Sequence, residues 1–470
     1  MSGSLYGFLT EHADKEPVSF HMPGHKGSKL YKYLGYGKVL EKMMDCDITE
    51  IPGADNLFQT EDVILSVMEK YRTLYKSRKS YILVNGSSVG LITGILSSVP
   101  KGGKIIMARN SHKSIFNAVT LGGLDPVYLL PEIMKEYGIL GGVDPAEVER
   151  LIKENPDASC VILPSPNYYG ICSDIKAISE VCHRYDKVLI VDQAHGAHLR
   201  FMGEGYPVSA EEGGADIVID STHKTLASWT QTAVMNVMTD RVSLPVVENY
   251  LQILESSSPS YPLMMSLDIN ADILLDEHKS EAVLREWQSA VELFYKDVPN
   301  IPGLRVIEDP MLDRTKINLD TSNWGITGNE LEELLMEKNI FIELVTGNIV
   351  MCMTGIGTTK EHIIRLLVAL KEIASELPEA DVKEKSAETG SILTVNLERT
   401  SVPERSVLVP IKEAGGRVCA GSIIPYPPGI PLACPGEILT EEVTEYAAHL
   451  RKLGEKVIGV SENGEVLVGE

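Results

Sequence analysis

The sequence predicts an α/β fold built around a largely parallel β-sheet that carries helices on both of its faces. From about residue 80 to 240, short runs rich in β-branched residues alternate with helical patterns, and this alternation is typical of parallel sheets. Parallel strands need long crossover connections, which helices supply. At 470 residues the chain is too long for one ordinary core, so two or three domains are expected.

Six apolar runs are the predicted strands of this sheet. They are YILV (81–84), KIIMA (104–108), SCVILP (159–164), KVLIVD (187–192), ADIVID (215–220) and VMNVM (234–238). Ligands of open α/β sheets bind beyond the carboxyl ends of the strands. We therefore expect polar residues at these ends to surround one crevice: Asn85, Asn110, Ser165, Asp192 and Asp220.

The rest of the chain predicts further units. Residues 270–297 have the pattern of one long amphipathic helix. Capping-box spacings at Thr327–Glu330 and Thr358–Glu361, with the strand-like runs IFIEL and IVMCM between them, predict a smaller α/β unit. The charged stretch 378–390 is a predicted linker. The expected division is 1–60 (N-terminal segment contributing to the site or a dimer), 61–270 (large domain), 271–299 (linker helix), 300–377 (small domain) and 391–470 (C-terminal domain).

Composition excludes several classes of partner. The 43 Lys and Arg against 66 Asp and Glu give a net charge of −23, which disfavours nucleic acid and suits a cationic ligand. The seven cysteines contain no CxxC pair and no signal peptide is evident, so a reducing cytoplasm is expected. The two long uncharged stretches, 80–100 and 418–436, are too rich in Gly and Ser or in Pro for membrane spans.

Lys224, in the segment DSTHK (220–224), is the most informative candidate for chemistry. It follows a predicted strand end and precedes a stretch of small polar residues. A lysine amine condenses with an aldehyde readily when burial or nearby cations lower its pKa. The alternative is a lysine on a surface loop.

Asp192 ends the most apolar predicted strand, in VLIVDQAHGAH. A carboxylate there could keep a pyridine nitrogen protonated and so strengthen the ring as an electron sink. Two alternatives stay open: a helix N-cap, and a metal site formed by Asp192, His195 and His198.

Three further turns could complete a cofactor site. NGSSVG (85–90) joins a strand to a helix, so Gly86, Ser87 and Ser88 could cradle a phosphate or serve only turn geometry. It matches neither the dinucleotide nor the nucleoside-triphosphate motif. His112 could lie over an aromatic ring or face solvent at a helix start. Ser165 and Asn167 in PSPNYYG could bond a ring hydroxyl or form a turn.

These turns place a phosphate cradle, a stacking group, a pyridinium partner and a reactive lysine at successive strand ends of one sheet. That combination predicts a site for pyridoxal 5′-phosphate (PLP), with no metal.

The chain resembles the Orn/Lys/Arg decarboxylases of the fold-type-I PLP superfamily, which have an aspartate-aminotransferase-like fold with a mostly parallel seven-stranded sheet. The resemblance covers nearly the whole chain. The motifs that carry it are HMPGHKG (21–27), DITEIPGADNLF (47–58), NGSSVG (85–90), RNSHKS (109–114), VDQAHGAH (191–198), DSTHK (220–224), SSSPSYPLMMSLD (256–268) and PYPPGIPLACPGE (425–437).

The resemblance implies roles for individual residues. Lys224 is the Schiff-base lysine, His223 its neighbour near the substrate, Asp192 the partner of the pyridine nitrogen and His112 the stacking residue. The implied cofactor contacts also include Gly86, Ser87, Ser88, Asn167, His195, Ser221 and His223. Many relatives have Thr where Asn167 stands. The chain begins almost at HMPGHKG, so it resembles the short form without the N-terminal wing domain, and a homodimer or homotetramer is expected.

The implied reaction is decarboxylation of a basic L-amino acid in polyamine metabolism, with arginine favoured, lysine close behind and ornithine possible. Acidic residues would grip the distal cation of the substrate. Glu437 is the first candidate, with Asp55 and Glu50 behind it, although each could instead be structural. The segment SSSPSY would bring Ser258 and Tyr261 into the partner's site across the dimer interface. The alternatives are a PLP aminotransferase, for which no carboxylate-binding Arg is identified, and a non-catalytic PLP-binding regulator.

Overall fold

The computed structural model describes residues 5–377, 397–426, 429–452 and 456–470. The predicted linker at 378–390, the start of the predicted C-terminal domain at 391–396 and two prolines of the Pro-rich run (427–428) lie outside the described residues. Among the helices in those ranges, none is both long and apolar enough to cross a membrane.

One short strand of the N-terminal segment joins a distant part of the chain. This strand pairs in parallel with residues 340–342, far away in sequence. The elements of the segment are α1 (Leu5–Asp14), β1 (Val18–Phe20), α2 (Ser28–Tyr33) and α3 (Gly37–Glu41).

The large domain follows and holds most of the secondary structure. Its elements are α4 (Val63–Tyr75), β2 (Lys79–Leu83), α5 (Gly86–Ser98), β3 (Lys104–Ala108), α6 (Lys113–Gly122), β4 (Asp125–Leu129), β5 (Ile133–Met134), β6 (Ile139–Leu140), α7 (Pro145–Glu154), β7 (Ala158–Pro164), α8 (Ile175–Arg184), β8 (Val188–Asp192), α9 (Leu199–Met202), β9 (Ile217–Asp220), α10 (Thr222–Thr225), β10 (Ala233–Val237), α11 (Leu244–Leu254) and α12 (Tyr261–Leu275).

A seven-stranded sheet in the order β2-β10-β9-β8-β7-β3-β4 forms the centre of this domain. Strand β10 is antiparallel to both of its neighbours, and the other strands are parallel, which confirms the predicted mostly parallel sheet. The sequence pattern did not identify β4, because it begins with Asp125 and Pro126. A proline, which lacks the N–H, is tolerated there because β4 lies at the edge of the sheet.

Both faces of this sheet are buried, as parallel sheets require. In β3, Ile105 and Met107 pack with Ile115 of α6 in one core cluster, whereas Ile106 and Ala108 belong to a second cluster that includes residues of α7 and α8. The alternation follows from the two-residue period of a strand. The apolar runs in the sequence therefore lack the alternation of apolar and polar residues that a strand with one exposed face would have.

The predicted helix at 270–297 is wrong in one respect, because the structure divides it. Helix α12 ends at Leu275, and α13 (Glu277–Asp297) begins after Asp276. The Asp276 carboxylate accepts a hydrogen bond from the Lys279 N–H at 3.1 Å. Aspartate is a preferred N-cap, so this residue starts a new helix instead of continuing the old one.

The remaining residues form two smaller units. The small domain has β11 (Arg305–Val306), β12 (Lys316–Asp320), α14 (Gly328–Glu337), β13 (Ile340–Ile342), β14 (Leu344–Thr346), β15 (Ile349–Met353) and α15 (Lys360–Glu376), and its antiparallel sheet has the order β11-β12-β15-β14. The C-terminal unit has β16 (Ser406–Pro410), β17 (Ile424–Tyr426), α16 (Glu441–Lys452), β18 (Lys456–Ile458) and β19 (Glu465–Gly469), with β16 paired to β19 and β17 to β18.

The two predicted capping boxes have different outcomes. Thr327 and Glu330 form the expected box at the start of α14. The second prediction is one residue out of place, since Thr359 caps α15. Thr358 instead accepts a hydrogen bond from the Gly355 N–H at 3.0 Å, which commits its hydroxyl to the preceding turn.

Gly24, in the HMPGHKG loop, allows three parts of the chain to meet. Its N–H donates to the carbonyl of His223 at 2.8 Å, and its carbonyl accepts from Gly357 of the small domain at 2.9 Å. A Cβ atom at position 24 would lie 2.4 Å from the carbonyl carbon of Thr225. Only glycine therefore fits against the backbone that follows Lys224.

We predict that Gly24→Ala destabilises the protein by about 1–3 kcal/mol or more, because the added methyl meets backbone that cannot move aside. Urea denaturation measures the effect. Gly37→Ala is the matched control, because the three atoms nearest to a Cβ there all belong to Lys32 and lie 3.4 Å or more away. Equal stability of the two variants would contradict the close approach.

Candidate active site

One pocket collects residues from the carboxyl ends of several neighbouring strands. Six of the predicted site residues line it, together with Asn110 from the expected crevice; the predicted crevice residues Asn85, Ser165 and Asp220 are not among its lining. The lining residues are Ser87, Asn110, His112, Pro164, Pro166, Asn167, Tyr168, Asp192, Ala194, His195 and Lys224.

Lys224 lies in this pocket and not on a surface loop. It belongs to α10, a single turn that follows β9, and its Nζ is 3.0 Å from His195 Nε2. Burial lowers the pKa of Lys224; Asp192 and Glu343 oppose that shift, and Lys316 adds to it. A lysine with a lowered pKa is a better nucleophile at neutral pH.

Asp192 ends β8, the strand next to β9, and is 5% exposed. Its Oδ1 accepts a hydrogen bond from the Ala194 N–H at 3.1 Å. Burial raises the pKa of Asp192, although the nearby Lys224 lowers it. A cationic group that enters the pocket would therefore stabilise the ionised form of Asp192.

The metal alternative finds no support in the geometry. His198 Nε2 lies 3.1 Å from Asp313 Oδ2, and His195 contacts Lys224. In the part of the chain that the structure describes, no group of three or more His, Cys, Asp or Glu side chains could hold a metal ion.

Three histidines surround Lys224, and all are neutral at pH 7. His112 caps α6, where its Nδ1 accepts from the Ser114 N–H, yet it is half-buried and lines the pocket. Burial lowers the pKa of His112 to about 3 and that of His223 to about 4. Burial also holds the pKa of His195 well below its usual value. His223 does not line the pocket, and its Nδ1 donates to the Thr232 carbonyl at 2.7 Å.

Several polar groups beside the pocket have no partner within the described residues. They are buried atoms on the turns at the ends of β3, β8 and β9: Asn110 Oδ1, Ser111 Oγ, His195 Nδ1 and Ser221 Oγ. Such groups are rare in folded proteins unless a ligand or water satisfies them.

The start of α5 offers backbone N–H groups in the same region. Its N-cap, Asn85, makes no side-chain capping bond within the described chain, and Gly86 has φ +79°. An uncapped helix N-terminus favours an anion such as phosphate. Ser87 lines the pocket, whereas Gly86, Ser88 and Ser221 are not among its lining residues. The unpartnered groups, the helix start, Asp192 and Lys224 together fit a phosphorylated pyridine aldehyde.

Asn167 was predicted to bond a ring hydroxyl, and this prediction is wrong. Its amide donates to the carbonyls of Leu140 and Gly141, and its Oδ1 accepts from the N–H groups of Tyr169 and Ile171. All of its hydrogen-bonding capacity is thus used to hold the turn. The alternative, a turn-forming residue, is the one the structure supports.

Glu437 was the first candidate for the substrate cation, and the structure corrects this. Its carboxylate is fully buried, bonds the Tyr128 hydroxyl and the Cys434 N–H, and lies 3.6 Å from Arg109. Arg109 also donates to the carbonyls of Pro431 and Leu432. Glu437 therefore holds the C-terminal unit on the large domain.

Asp55 is also structural. Its two carboxylate oxygens accept from the backbone N–H groups of residues 56, 61, 62, 64 and 65 and so organise the start of α4. Glu50 accepts from Asn56 at 3.0 Å in an open groove of about 700 Å³, away from Lys224.

Ser258 and Tyr261 do not reach the pocket of their own chain. Ser258 is exposed, and the Tyr261 hydroxyl donates to the carbonyl of Asp55 at 2.8 Å. Their role in a partner's site stays a prediction.

Three residues near Lys224 were missed by the sequence reasoning. Tyr168 packs against His195 with ring centroids 4.9 Å apart. Glu343 and the fully buried Lys316 affect the pKa of Lys224 from the small domain. Tyr168 stands in the PSPNYYG turn that was already singled out, but Glu343 and Lys316 had no signal, because only folding brings the small domain to the pocket.

Comparison with known proteins agrees with this geometry. Residues 3–317 match the model of the Orn/Lys/Arg decarboxylase major domain, and residues 394–463 match that of the C-terminal domain. The chain belongs to the Orn/Lys/Arg decarboxylase family. It is therefore an amino-acid decarboxylase by family, and the resemblance seen in its motifs is confirmed.

Two relatives and one solved structure each match nearly the whole length of this chain. The arginine decarboxylase of Bacillus subtilis is 32% identical over 94% of this chain and 92% of its own length. That of Halalkalibacterium halodurans is 32% identical over 97% and 94%. The structure of the constitutive lysine decarboxylase of E. coli superposes with a TM-score of 0.77 at 19% identity, over 99% of this chain and 82% of that chain. The fold-type-I architecture is thereby confirmed.

We predict that Asp192→Asn stabilises the chain at pH 7. Burial raises the pKa of Asp192, so the folded state disfavours the ionised form. This penalty is absent below the unfolded pKa of about 4 and grows as the pH rises above it. Urea denaturation at pH 7 and pH 4 measures the difference, which should vanish at the lower pH. Asp14→Asn on exposed α1 is the control. A variant less stable than the parent at pH 7 would contradict the dominance of burial.

Proposed function

We propose that this decarboxylase uses PLP and acts on a basic L-amino acid, arginine first and lysine second, in polyamine metabolism. The observation that supports it most is the Lys224 amine in a pocket beside the buried Asp192, at the ends of two neighbouring parallel strands. Relatives of 29–32% identity named arginine decarboxylase favour arginine, because those named lysine decarboxylase are only 22% identical.

Bound PLP supplies an electron sink for the pair of electrons released when the Cα–carboxylate bond breaks. The chain's own residues hold and orient it. Lys224 would provide the covalent link, Asp192 would keep a proton on the ring nitrogen, and His112 would contact the ring. The start of α5, with Gly86, Ser87 and Ser88, and the unpartnered Ser221 hydroxyl bind the phosphate.

Lys224 is also the proposed donor of the proton that replaces CO₂ at Cα. The lowered pKa values of His112, His195 and His223 keep their rings neutral at pH 7, and a neutral imidazole is a much weaker acid than an ammonium group. When the substrate amine takes the place of Lys224, the Lys224 side chain would take up the proton that the substrate ammonium group gives up. The lowered pKa of Lys224 would then ease the transfer of that proton to Cα. His195, 3.0 Å away, orients that amine.

Glu343 replaces Glu437 as the proposed partner of the distal cation. It lies between β13 and β14, is half-buried, and affects the pKa of Lys224. One carboxylate oxygen accepts from the Met22 N–H at 2.8 Å, which fixes the side chain within the loop that covers the Lys224 backbone. A fixed carboxylate near the pocket suits a guanidinium or ammonium group.

The proposed assembly is a homodimer or homotetramer in the cytoplasm, with no nucleic-acid or membrane partner. Ser258 and Tyr261 would then complete the partner's pocket.

Lys224→Ala should abolish turnover, because no other described lysine lines the pocket. The test incubates PLP-loaded protein with arginine, lysine and ornithine and measures CO₂ together with agmatine, cadaverine and putrescine. Lys371→Ala, at a surface ion pair with Asp297, is the control and should keep full activity. Retained turnover in Lys224→Ala would refute the assignment, and a keto acid without CO₂ would indicate an aminotransferase.

Glu343→Gln should raise KM for the preferred substrate and lower kcat/KM by about 10- to 100-fold, since one charge-assisted bond is lost. Glutamine can still accept the Met22 N–H bond, so the loop is kept. The control is Glu372→Gln, at an exposed pair with Lys338. An unchanged KM would exclude Glu343 as the cation partner.

A further inference from the structure

Lys316 is a fully buried lysine, 0% exposed, that the proposed chemistry does not use. It begins β12 of the small domain. Its Nζ donates to the carbonyl of His195 at 2.8 Å and lies 3.4 Å from Asp313 Oδ2. A buried ammonium group is costly unless it is paired and hydrogen-bonded, so this placement requires a specific partner set.

Asp313 contacts a second histidine, His198, of the VDQAHGAH turn that also carries His195. Its Oδ2 lies 3.1 Å from His198 Nε2 and 2.9 Å from Thr315 Oγ1. The charged neighbours lower the pKa of Asp313 against the raising effect of burial. Burial lowers the pKa of His198, although Asp313 opposes this. The two small-domain residues thus hold the VDQAHGAH turn at both of its histidines.

The linker helix supports this contact from a third side. Trp287 of α13 packs against His198 with ring centroids 4.9 Å apart, and its Nε1 donates to Thr354 Oγ1 at 2.7 Å. Thr354 in turn donates to the carbonyl of Thr315 at 2.7 Å. Large domain, linker helix and small domain therefore meet at one buried polar cluster.

This cluster is one residue away from the reactive amine. His195 connects the two lysines, because its carbonyl binds Lys316 and its Nε2 lies 3.0 Å from Lys224 Nζ. The charged and titratable groups that act on Lys224 come from every side. Asp192 and Glu343 favour its ammonium form and Lys316 disfavours it, while the neighbouring rings are the neutral histidines His112, His195 and His223.

We propose that Lys316 and Asp313 are positioning residues. Together, as the Asp313–Lys316 bridge, they hold His195 against Lys224 and set the electric field at the Lys224 amine. The bridge couples the placement of the small domain to the reactivity of the cofactor lysine. This inference rests on the proposed role of Lys224 as the PLP lysine.

The test measures how fast the full-length, cofactor-free chain captures PLP as a function of pH, from the visible absorbance that PLP gains on condensing with a lysine. Lys316→Met removes a cation near Lys224, so the Lys224 pKa rises and the pH midpoint of capture should move up by on the order of one unit. Capture at pH 7 should then slow about tenfold. Lys338→Met, at an exposed ion pair of the same domain, should leave the midpoint unchanged.

A second variant keeps the test decisive if Lys316→Met does not fold. Asp313→Asn preserves the shape of the side chain but removes the anion of the bridge, so the capture midpoint should move down. A structural defect alone would slow capture at every pH without moving the midpoint. An unchanged midpoint, or a shift in the opposite direction, in a variant that folds would overturn the proposal.

The proposed function has its own separate control. Lys224→Ala should show no capture at any pH. If it captures PLP as the parent does, the assignment of Lys224 fails; if it does not and the bridge variants keep the parent midpoint, only the bridge fails.

Discussion

The site depends on one constraint: an ammonium group and a carboxylate are both withdrawn from water at the ends of two adjacent parallel strands. Lys224 follows β9 and Asp192 ends β8, and neighbouring strands lie about 4.8 Å apart. The two side chains must therefore share one small volume, where each offsets part of the other's desolvation. Their pKa values are shifted towards the neutral forms, which leaves the pair responsive to whatever charge enters the pocket.

Three other described parts of the chain contact loops at the strand ends around the pocket. Gly24 of the N-terminal segment lies on the backbone after Lys224. The small domain binds the His195 turn through Lys316, and the C-terminal unit binds the start of the Asn110 turn through the contact of Glu437 with Arg109. Loops at strand ends have little regular hydrogen bonding of their own, so outside contacts fix their conformation. The smaller units thus fix the conformation of the loops around the pocket. They can do this without contributing reacting atoms.

The electrostatics of the pocket keep its histidines neutral. Burial keeps His112 and His223 neutral at pH 7. The charged groups that act on Lys224 include two carboxylates, Asp192 and Glu343, and the buried Lys316. A cationic substrate adds to this set without repulsion from protonated rings. The net charge of −23 favours the same class of ligand, but only the local arrangement of charged groups determines where a cationic ligand would bind.

The sequence by itself determined the sheet, its strand ends and the family motifs, because a buried parallel strand and a Gly-Ser turn leave local patterns. Lys224, Asp192 and His112 could be found because they lie at or just after the ends of such strands. Tertiary structure alone decided what the acidic residues do: Glu437 and Asp55 are consumed by structural bonds, whereas Glu343 reaches the pocket region. The break at Asp276 and the full use of Asn167 by backbone groups were equally hidden. A carboxylate or an amide has the same local pattern whether it caps a helix or binds a ligand, and only the fold determines which partners reach it.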